Sequence, residues 1–243
     1  MGEPNAWSAE HTHNRIPTLF DQLDPDIQAY LIHALYFKAL WSSPFAPEYT
    51  KEEPFANANG SVSQIPTMYR KDVAFAYRGE LFDALELNYM GGEYSMVVVL
   101  PKEGVAISSV EKQLGIDSFR KLLEEMYLCE VSVKLPKFKI AYERKLNKIL
   151  ERMTGNPQFG HGDYSLLSPS LSDAGIVVVQ KTFAEIDEKG TEAAAVTYVG
   201  LFTSAGEEPA YPKIEFHVHR PFLFFIHEKS TGAILFAGRI LNL

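Results

Sequence analysis

The stretch Glu185-Ile186-Asp187-Glu188-Lys189-Gly190-Thr191-Glu192-Ala193-Ala194-Ala195-Val196-Thr197-Tyr198-Val199-Gly200-Leu201-Phe202-Thr203-Ser204-Ala205-Gly206-Glu207-Glu208-Pro209-Ala210-Tyr211-Pro212 decides how this chain is read. A strand pattern precedes it and another follows it. Connections longer than about 12–15 residues with no structure of their own are uncommon, and they are usually functional or disordered. The composition is not that of a disordered linker, because Val196, Tyr198, Val199, Leu201 and Phe202 favour strands. With a period of two, Thr191, Ala193, Ala195, Thr197, Val199, Leu201 and Thr203 share one small or apolar, uncharged face. Glu192, Ala194, Val196, Tyr198, Gly200 and Phe202 share the other. This is a half-buried strand pattern written into a connection. On the residues alone, a plain edge strand or a helical turn through Ala193, Ala194 and Ala195 remains an alternative.

Outward from this segment, aromatic and β-branched runs dominate. Strands are predicted over Tyr30 to Phe37, Phe75 to Tyr77, Ser95 to Leu100, Glu130 to Leu135, Ile176 to Ile186, Pro221 to Ile226 and Ala233 to Ile240. Two helices are predicted. Ser108 to Met126 carries Val110, Leu114, Phe119, Leu122, Leu123 and Met126 at three- and four-residue spacing, and Tyr142 to Met153 carries Leu146, Ile149 and Leu150. Strands outnumber helices and do not alternate with them, which argues for an α+β or mostly-β fold over a doubly wound sheet.

Composition narrows the function. A chain of 243 residues, 46% apolar, buries a sizeable core without staples. Its single cysteine, Cys129, excludes an intramolecular disulfide. A net charge of −8, from 31 acids against 23 bases, argues against nucleic acid or an anionic membrane as partner. The longest purely apolar runs, Met96 to Leu100 and Phe222 to Ile226, fall far short of the roughly 20 residues of a transmembrane helix. The N-terminus lacks the basic and apolar regions of a signal peptide. His161, Asp163 and Ser165 are triad residue types, but they lie too close in sequence to form a triad, and no Gly-x-Ser-x-Gly elbow or phosphate loop occurs. The pairs His11/His13 and His217/His219 lack further ligands for a metal site.

Glu185 to Ala195 resembles the hinge of the serpins, the serine-protease-inhibitor superfamily. The resemblance extends along the chain. Ala34 to Lys38, then Trp41, Pro44 and Phe45, resemble the third strand of the family's sheet A and its breach. Ile65 to Met68, Leu85 to Leu87 and Ser95 to Pro101 resemble sheet B segments. Val133 to Ile140 is similar to the sixth strand of sheet A, and Arg220-Pro221-Phe222 with Phe236-Ala237-Gly238 to the C-terminal signature. The implied fold is α+β, with a large sheet A, sheets B and C and few helices. It is a single serpin domain over residues 1–243, with residues 189–212 as the exposed reactive-centre loop. Trp7 and Thr12 look like the end of the helix that lies across sheet A. The resemblance therefore implies an N-terminally truncated domain lacking its first helices and strands. The inner faces of Tyr30 to Phe37 and Val177 to Phe183 are then expected to lack packing partners.

The resemblance implies a mechanism as well. A protease cuts the loop, and the hinge side inserts into sheet A as an extra strand, the known behaviour of serpin loops. The acyl-linked protease is trapped by this step. About a dozen inserted residues, at about 0.5–1.5 kcal/mol per hydrogen bond plus apolar burial, stabilise the product by about 10 kcal/mol or more. Glu188, Lys189, Gly190, Thr191, Glu192, Ala193, Ala194 and Ala195 form the implied hinge. Gly190 supplies backbone freedom, and the small residues pass between strands; Val196 is bulkier than the family's usual residue. Counting forward from Gly190 places the reactive bond at Ser204–Ala205. Counting back from Pro221 lands between Glu207 and Ala210. Phe202 and Thr203 are alternative baits.

No Lys or Arg lies between Lys189 and Lys213. The expected partner is thus an elastase- or chymotrypsin-like serine protease rather than a trypsin-like one. Glu188 and Lys137 fall where the family has a hinge-fixing ion pair beside Trp41. His33 and Gln180 fall where the family has a shutter Asn/His pair, and a hydrogen bond between them is expected. His219 stands where Asn, Asp or Gln is usual. Loop–sheet self-association is implied; no cofactor and no enzymatic activity are. The family association favours an extracellular location, with a cytoplasmic one open, and Asn59-Gly60-Ser61 is a glycosylation candidate. The rival reading is a non-inhibitory serpin, or an inactive fragment, with a carrier, chaperone or interaction role. The small-residue hinge argues against the first, and the missing N-terminal third argues for loss of trapping.

Overall fold

The computed structural model describes residues 2–19, 22, 24–156, 159–191 and 211–243. Helix α1 (Gly2–His11) is followed by β1 (Ala29–Tyr36), β2 (Ala39–Leu40), a 3-10 turn at Pro47–Tyr49, β3 (Lys51–Ala56), β4 (Val62–Arg78), β5 (Phe82–Asn88) and β6 (Tyr94–Pro101). Then come α2 (Ile107–Gln113), α3 (Ile116–Glu125), β7 (Tyr127–Pro136), β8 (Phe138–Lys145), α4 (Asn147–Thr154) and β9 (His161–Gly162). The chain finishes with β10 (Ala174–Ile186), β11 (Gly190–Thr191), β12 (Lys213–His217), β13 (Phe222–Glu228) and β14 (Ile234–Ile240). It forms two compact units, Met1–Phe37 with Lys139–Glu185, and Lys38–Phe138 with Ile186–Leu243.

In the second unit an eight-stranded sheet runs in the order β12-β7-β4-β5-β6-β13-β14, with β3 beside β4. The 17-residue β4 joins segments that resemble separate sheets, because it pairs with β3, then β7, then β5 along its length. Strand β6 reads as a nearly continuous apolar run because both of its faces are covered, and β5 beside it is as deeply buried although it carries Asp83 and Glu86. Phe82, Ala84, Val97, Val99 and Leu223 meet Val110, Phe119 and Leu122 from α2 and α3, and Met126 just past α3, in one core.

The single helix predicted over Ser108 to Met126 is two. Gly115 breaks it, and the Ser118 hydroxyl accepts the Gly115 N–H at 2.8 Å, starting a new helix. Both helices face the same core, Val110 from the first and Phe119 and Leu122 from the second. Val133 to Ile140 likewise divides. Val133 to Pro136 belongs to β7 and pairs with β4, whereas the chain from Phe138 onward is β8, which pairs with β10.

In the first unit β1 and β10 run parallel through eight register pairs, from Ala29 opposite Ile176 to Tyr36 opposite Phe183. The helix predicted over Tyr142 to Met153 starts later, at Asn147, because residues up to Lys145 are drawn into β8. Ladder pairing overrides the local helical period there. The Asn147 amide then occupies the edge of β10, donating to the Ile176 carbonyl at 2.8 Å and accepting the Val178 N–H at 3.0 Å. Helix α1 is tied to the chain beyond it by Ser8, whose hydroxyl donates to the Ile16 carbonyl at 2.6 Å. Ile16, Leu19 and Phe183 form a small core with Ile32, Ala34 and Tyr36. On the opposite face of β1, Leu31 is half exposed and His33 is exposed.

Candidate functional site: the hinge at the end of β10

Asp187-Glu188-Lys189-Gly190 has Asp at the first and Gly at the fourth position, a β-turn signature. The chain turns there. The Asp187 N–H donates to the Gly190 carbonyl at 3.0 Å, and the Gly190 N–H returns a bond to the Asp187 carbonyl at 3.3 Å. The Asp187 carboxylate also accepts the N–H groups of Lys189 and Gly190, at 2.9 and 3.1 Å. This is the local side-chain turn that Asp favours. Beyond it, β11 runs back antiparallel, with Thr191 opposite Ile186 of β10. On its other side β11 pairs with β2, Gly190 opposite Leu40 and Thr191 opposite Ala39. The second and third residues of the implied loop are thus already a strand.

Gly190 is irreplaceable on two counts. Its φ is +143°, which L residues avoid, and a Cβ there would lie 2.2 Å from the Ala39 carbonyl oxygen and 2.7 Å from Leu40 Cα. The freedom ascribed to Gly190 is therefore joined by a plain need for space.

Trp41 holds the turn twice. Its backbone N–H donates to the Lys189 carbonyl at 2.9 Å, and its indole N–H to the Asp187 carbonyl at 3.0 Å. Its ring is buried, stacked on Tyr89 with centroids 4.5 Å apart and 8° between planes. Phe45 meets the Trp41 ring edge-on, with centroids 6.4 Å apart, and donates its N–H to the Glu188 carbonyl at 2.8 Å. Over the Phe45 ring sits the buried Arg70 guanidinium, 4.4 Å from the centroid and paired with Asp72 at 2.8 Å. Burial lowers the Arg70 pKa to about 10, partly opposed by Asp72, so it stays charged at neutral pH.

Glu188 and Lys137 form an ion pair at 2.8 Å, with a second contact of 3.1 Å. The Thr50 hydroxyl donates to the same carboxylate at 2.9 Å. Partial burial opposes the charge on Glu188, but the Lys137 ammonium and the Thr50 hydroxyl outweigh it and lower the pKa. Thr191 is buried, and its hydroxyl lies 3.0 Å from the Tyr89 hydroxyl. Burial drives the Tyr89 pKa up, with the Thr191 bond opposing it, so the phenol is neutral.

Trp41, Lys137, Glu188, Lys189, Gly190 and Thr191, singled out in the sequence, thus converge. Tyr89, Thr50 and Asp187 join them unannounced. The Asp-x-x-Gly spacing was a readable signal for Asp187. None existed for Tyr89 and Thr50, which lie 102 and 138 positions from their partners.

His33 and Gln180 are register partners in the β1–β10 ladder, but no hydrogen bond joins their side chains. His33 is exposed, so water satisfies its ring without the amide. Asn59 lies in an exposed turn, where its side-chain oxygen accepts the Ser61 N–H at 2.9 Å and hydroxyl at 2.7 Å. His219, unexplained in the sequence, accepts from Arg220 at 2.9 Å through Nε2 and donates from Nδ1 to the His217 carbonyl, also at 2.9 Å. Arg220 in turn donates to the Pro101 carbonyl. Glu192, Ala193, Ala194, Ala195, Phe202, Thr203, Ser204 and Ala205 lie outside the described residues. Among the described residues no group of three or more His, Cys, Asp and Glu side chains could hold a metal, and no helix is long and apolar enough to cross a membrane.

Comparison with known proteins gives one family. The family model for serpins, serine protease inhibitors, matches residues 2–243. Iripin-3 of Ixodes ricinus is 37% identical over 98% of this chain and 61% of its own length. Leukocyte elastase inhibitor A of Mus musculus is 36% identical over 99% of this chain and 65% of its own. Among solved structures, the thermophilic serpin tengpin in its native state superposes with a TM-score of 0.81 at 28% identity. That match covers 99% of this chain and 62% of tengpin. The chain therefore spans less than two thirds of the length of each of these relatives.

Proposed function

This chain belongs to the serpin family, and from that premise we propose that it inhibits a serine protease as a suicide substrate, by inserting its cleaved loop into sheet A. In this reading residues 1–243 belong to a single serpin domain, with residues 189–212 as the reactive-centre loop and Ser204–Ala205 as the bond cut. The observation that carries it is the hairpin from β10 through Asp187–Gly190 into β11. An inserted strand must run antiparallel to β10, and Gly190 and Thr191 already do. Extension continues that hairpin past Thr191 and exchanges the parallel β1–β10 pairs for antiparallel ones, which form a slightly more stable ladder per residue.

The target is an elastase- or chymotrypsin-like protease. The 23 positions from Gly190 to Pro212 hold no Lys or Arg, so a pocket with a buried aspartate finds no cation. The naming of one relative as a leukocyte elastase inhibitor agrees with this class. The protein acts in the secretory pathway or outside the cell, where Asn59, in its exposed turn, is open to glycosylation.

The test is incubation with an elastase-like and a chymotrypsin-like protease, followed by denaturing electrophoresis and mass spectrometry. A complex that survives SDS, with the released peptide starting at Ala205, is expected. Cleavage with no stable complex would show a substrate, and the non-inhibitory reading would replace this one. Cuts confined to Lys189 or Lys213 would refute the protease class.

A further inference from the structure

Thr191 is the first residue past the turn, and its hydroxyl is buried. A buried hydroxyl needs a partner, and among the described residues Tyr89 is the one it has, at 3.0 Å. The two groups come from different kinds of structure. Tyr89 follows β5 directly, and its backbone is fixed on both sides. Its N–H donates to the Tyr94 carbonyl at 3.0 Å, and it forms an antiparallel bridge with Trp41. Stacking on Trp41 sets the direction of its ring, and Trp41 is itself bonded to Asp187 and Lys189. The phenol is thus a rigid post in the eight-stranded sheet, and Thr191 belongs to the segment that the proposed mechanism moves.

We propose that the Tyr89 hydroxyl is a positioning group that keeps Thr191 seated in strand geometry between β10 and β2 before any bond is cut, so that insertion starts from a formed pair. This inference rests on the trapping mechanism for its consequence but not for its structural content. Glu188 and Lys137 hold the turn; Tyr89 holds the first residue that must lead the strand. The ring keeps its stack on Trp41 when the hydroxyl is removed, so Tyr89→Phe takes away the polar contact to Thr191 and leaves the ring in place. The Thr191 hydroxyl is then left buried and unsatisfied. Removing it too, as Thr191→Val, restores a matched apolar pair of nearly the same shape.

The experiment is hydrogen exchange by mass spectrometry on the 243-residue chain, following the peptide spanning residues 187–191 against a reference peptide in β13. Tyr89→Phe is expected to speed exchange of 187–191 by about tenfold, the effect of one buried hydrogen bond, with the reference unchanged. Thr191→Val does the same, and the double variant returns towards the parent. Unchanged exchange of 187–191 in Tyr89→Phe would overturn the assignment. So would an equal rise in both peptides, since that marks general loosening. A second readout is the ratio of cleaved to trapped inhibitor, which Tyr89→Phe should raise by up to about tenfold; an unchanged ratio removes the role in insertion. If the parent chain traps no protease at all, the inhibitory reading fails, and the exchange result still decides whether Tyr89 seats Thr191.

Discussion

Strand β10 is held by different physics at its two ends. From Ile176 to Phe183 it is fixed by a backbone ladder, and the side chains that face across the pair at His33 and Gln180 make no bond to each other. Past Ile186 side chains are added to the backbone bonds. Trp41, Thr50, Lys137 and Tyr89, all remote in sequence, each bond to the Asp187–Thr191 segment. A backbone ladder can be exchanged for another at small net cost, since each bond lost is replaced by an equivalent one. A turn clamped by side chains from four remote positions, Trp41 and Tyr89 among them buried, offers no such exchange. The strand thus has one end suited to opening and one suited to staying put, the pivot that the proposed insertion requires.

The largest effect is expected where backbone and space both constrain the pivot. Gly190→Ala puts a Cβ into the Ala39 carbonyl at a φ that disfavours side chains, and a loss of about 3 kcal/mol is expected in urea unfolding. A loss under about 1 kcal/mol would mean that the turn is not clamped at all.

Glu188→Gln is expected to cost about 1 kcal/mol, because the Lys137 side chain is more than a third exposed and solvent screens the pair. Its pH dependence follows from the lowered pKa of Glu188. A carboxyl whose folded pKa lies below its ordinary value of 4.5 contributes stability above that value, and loses it as pH falls through the folded pKa. The gap between parent and Glu188→Gln in unfolding midpoint should be full at pH 7 and close as pH drops below 4.5. A gap that persists in acid would assign the effect to packing.

The smallest effect belongs to the ladder. His33→Ala and Gln180→Ala, alone and together, should show a coupling below about 0.5 kcal/mol in a double-mutant cycle. A coupling above 1 kcal/mol would reveal a side-chain bond in solution and blur the contrast between the two ends.

Much of this was readable in the residues. Ile176 to Ile186 and Ser95 to Leu100 carry β-branched runs long enough to name their strands to within two residues. The resemblance paired Glu188 with Lys137 and set Trp41 beside them, and the geometry brings all three together. The helices were less readable. Val110 and Leu114 are four positions apart and Phe119 and Leu122 three, but five separate Leu114 from Phe119, and that step falls on the break at Gly115. Leu146, Ile149 and Leu150 likewise mark a real helix, but its start was masked by Tyr142 to Lys145, which pairing with β10 makes a strand.

Local chemistry, then, was written plainly in the chain. Aromatic and β-branched runs gave the strands, Asp187-x-x-Gly190 carries a turn signature, and Gly190 to Pro212 holds no Lys or Arg. These depend on neighbours a few positions apart, which any reading of the chain can inspect. The clamp on Thr191 was not written there. It needs a phenol 102 positions away, aimed by an indole that is itself anchored to the turn, and such a contact exists only once the long ladders of the eight-stranded sheet have set Tyr89 in place.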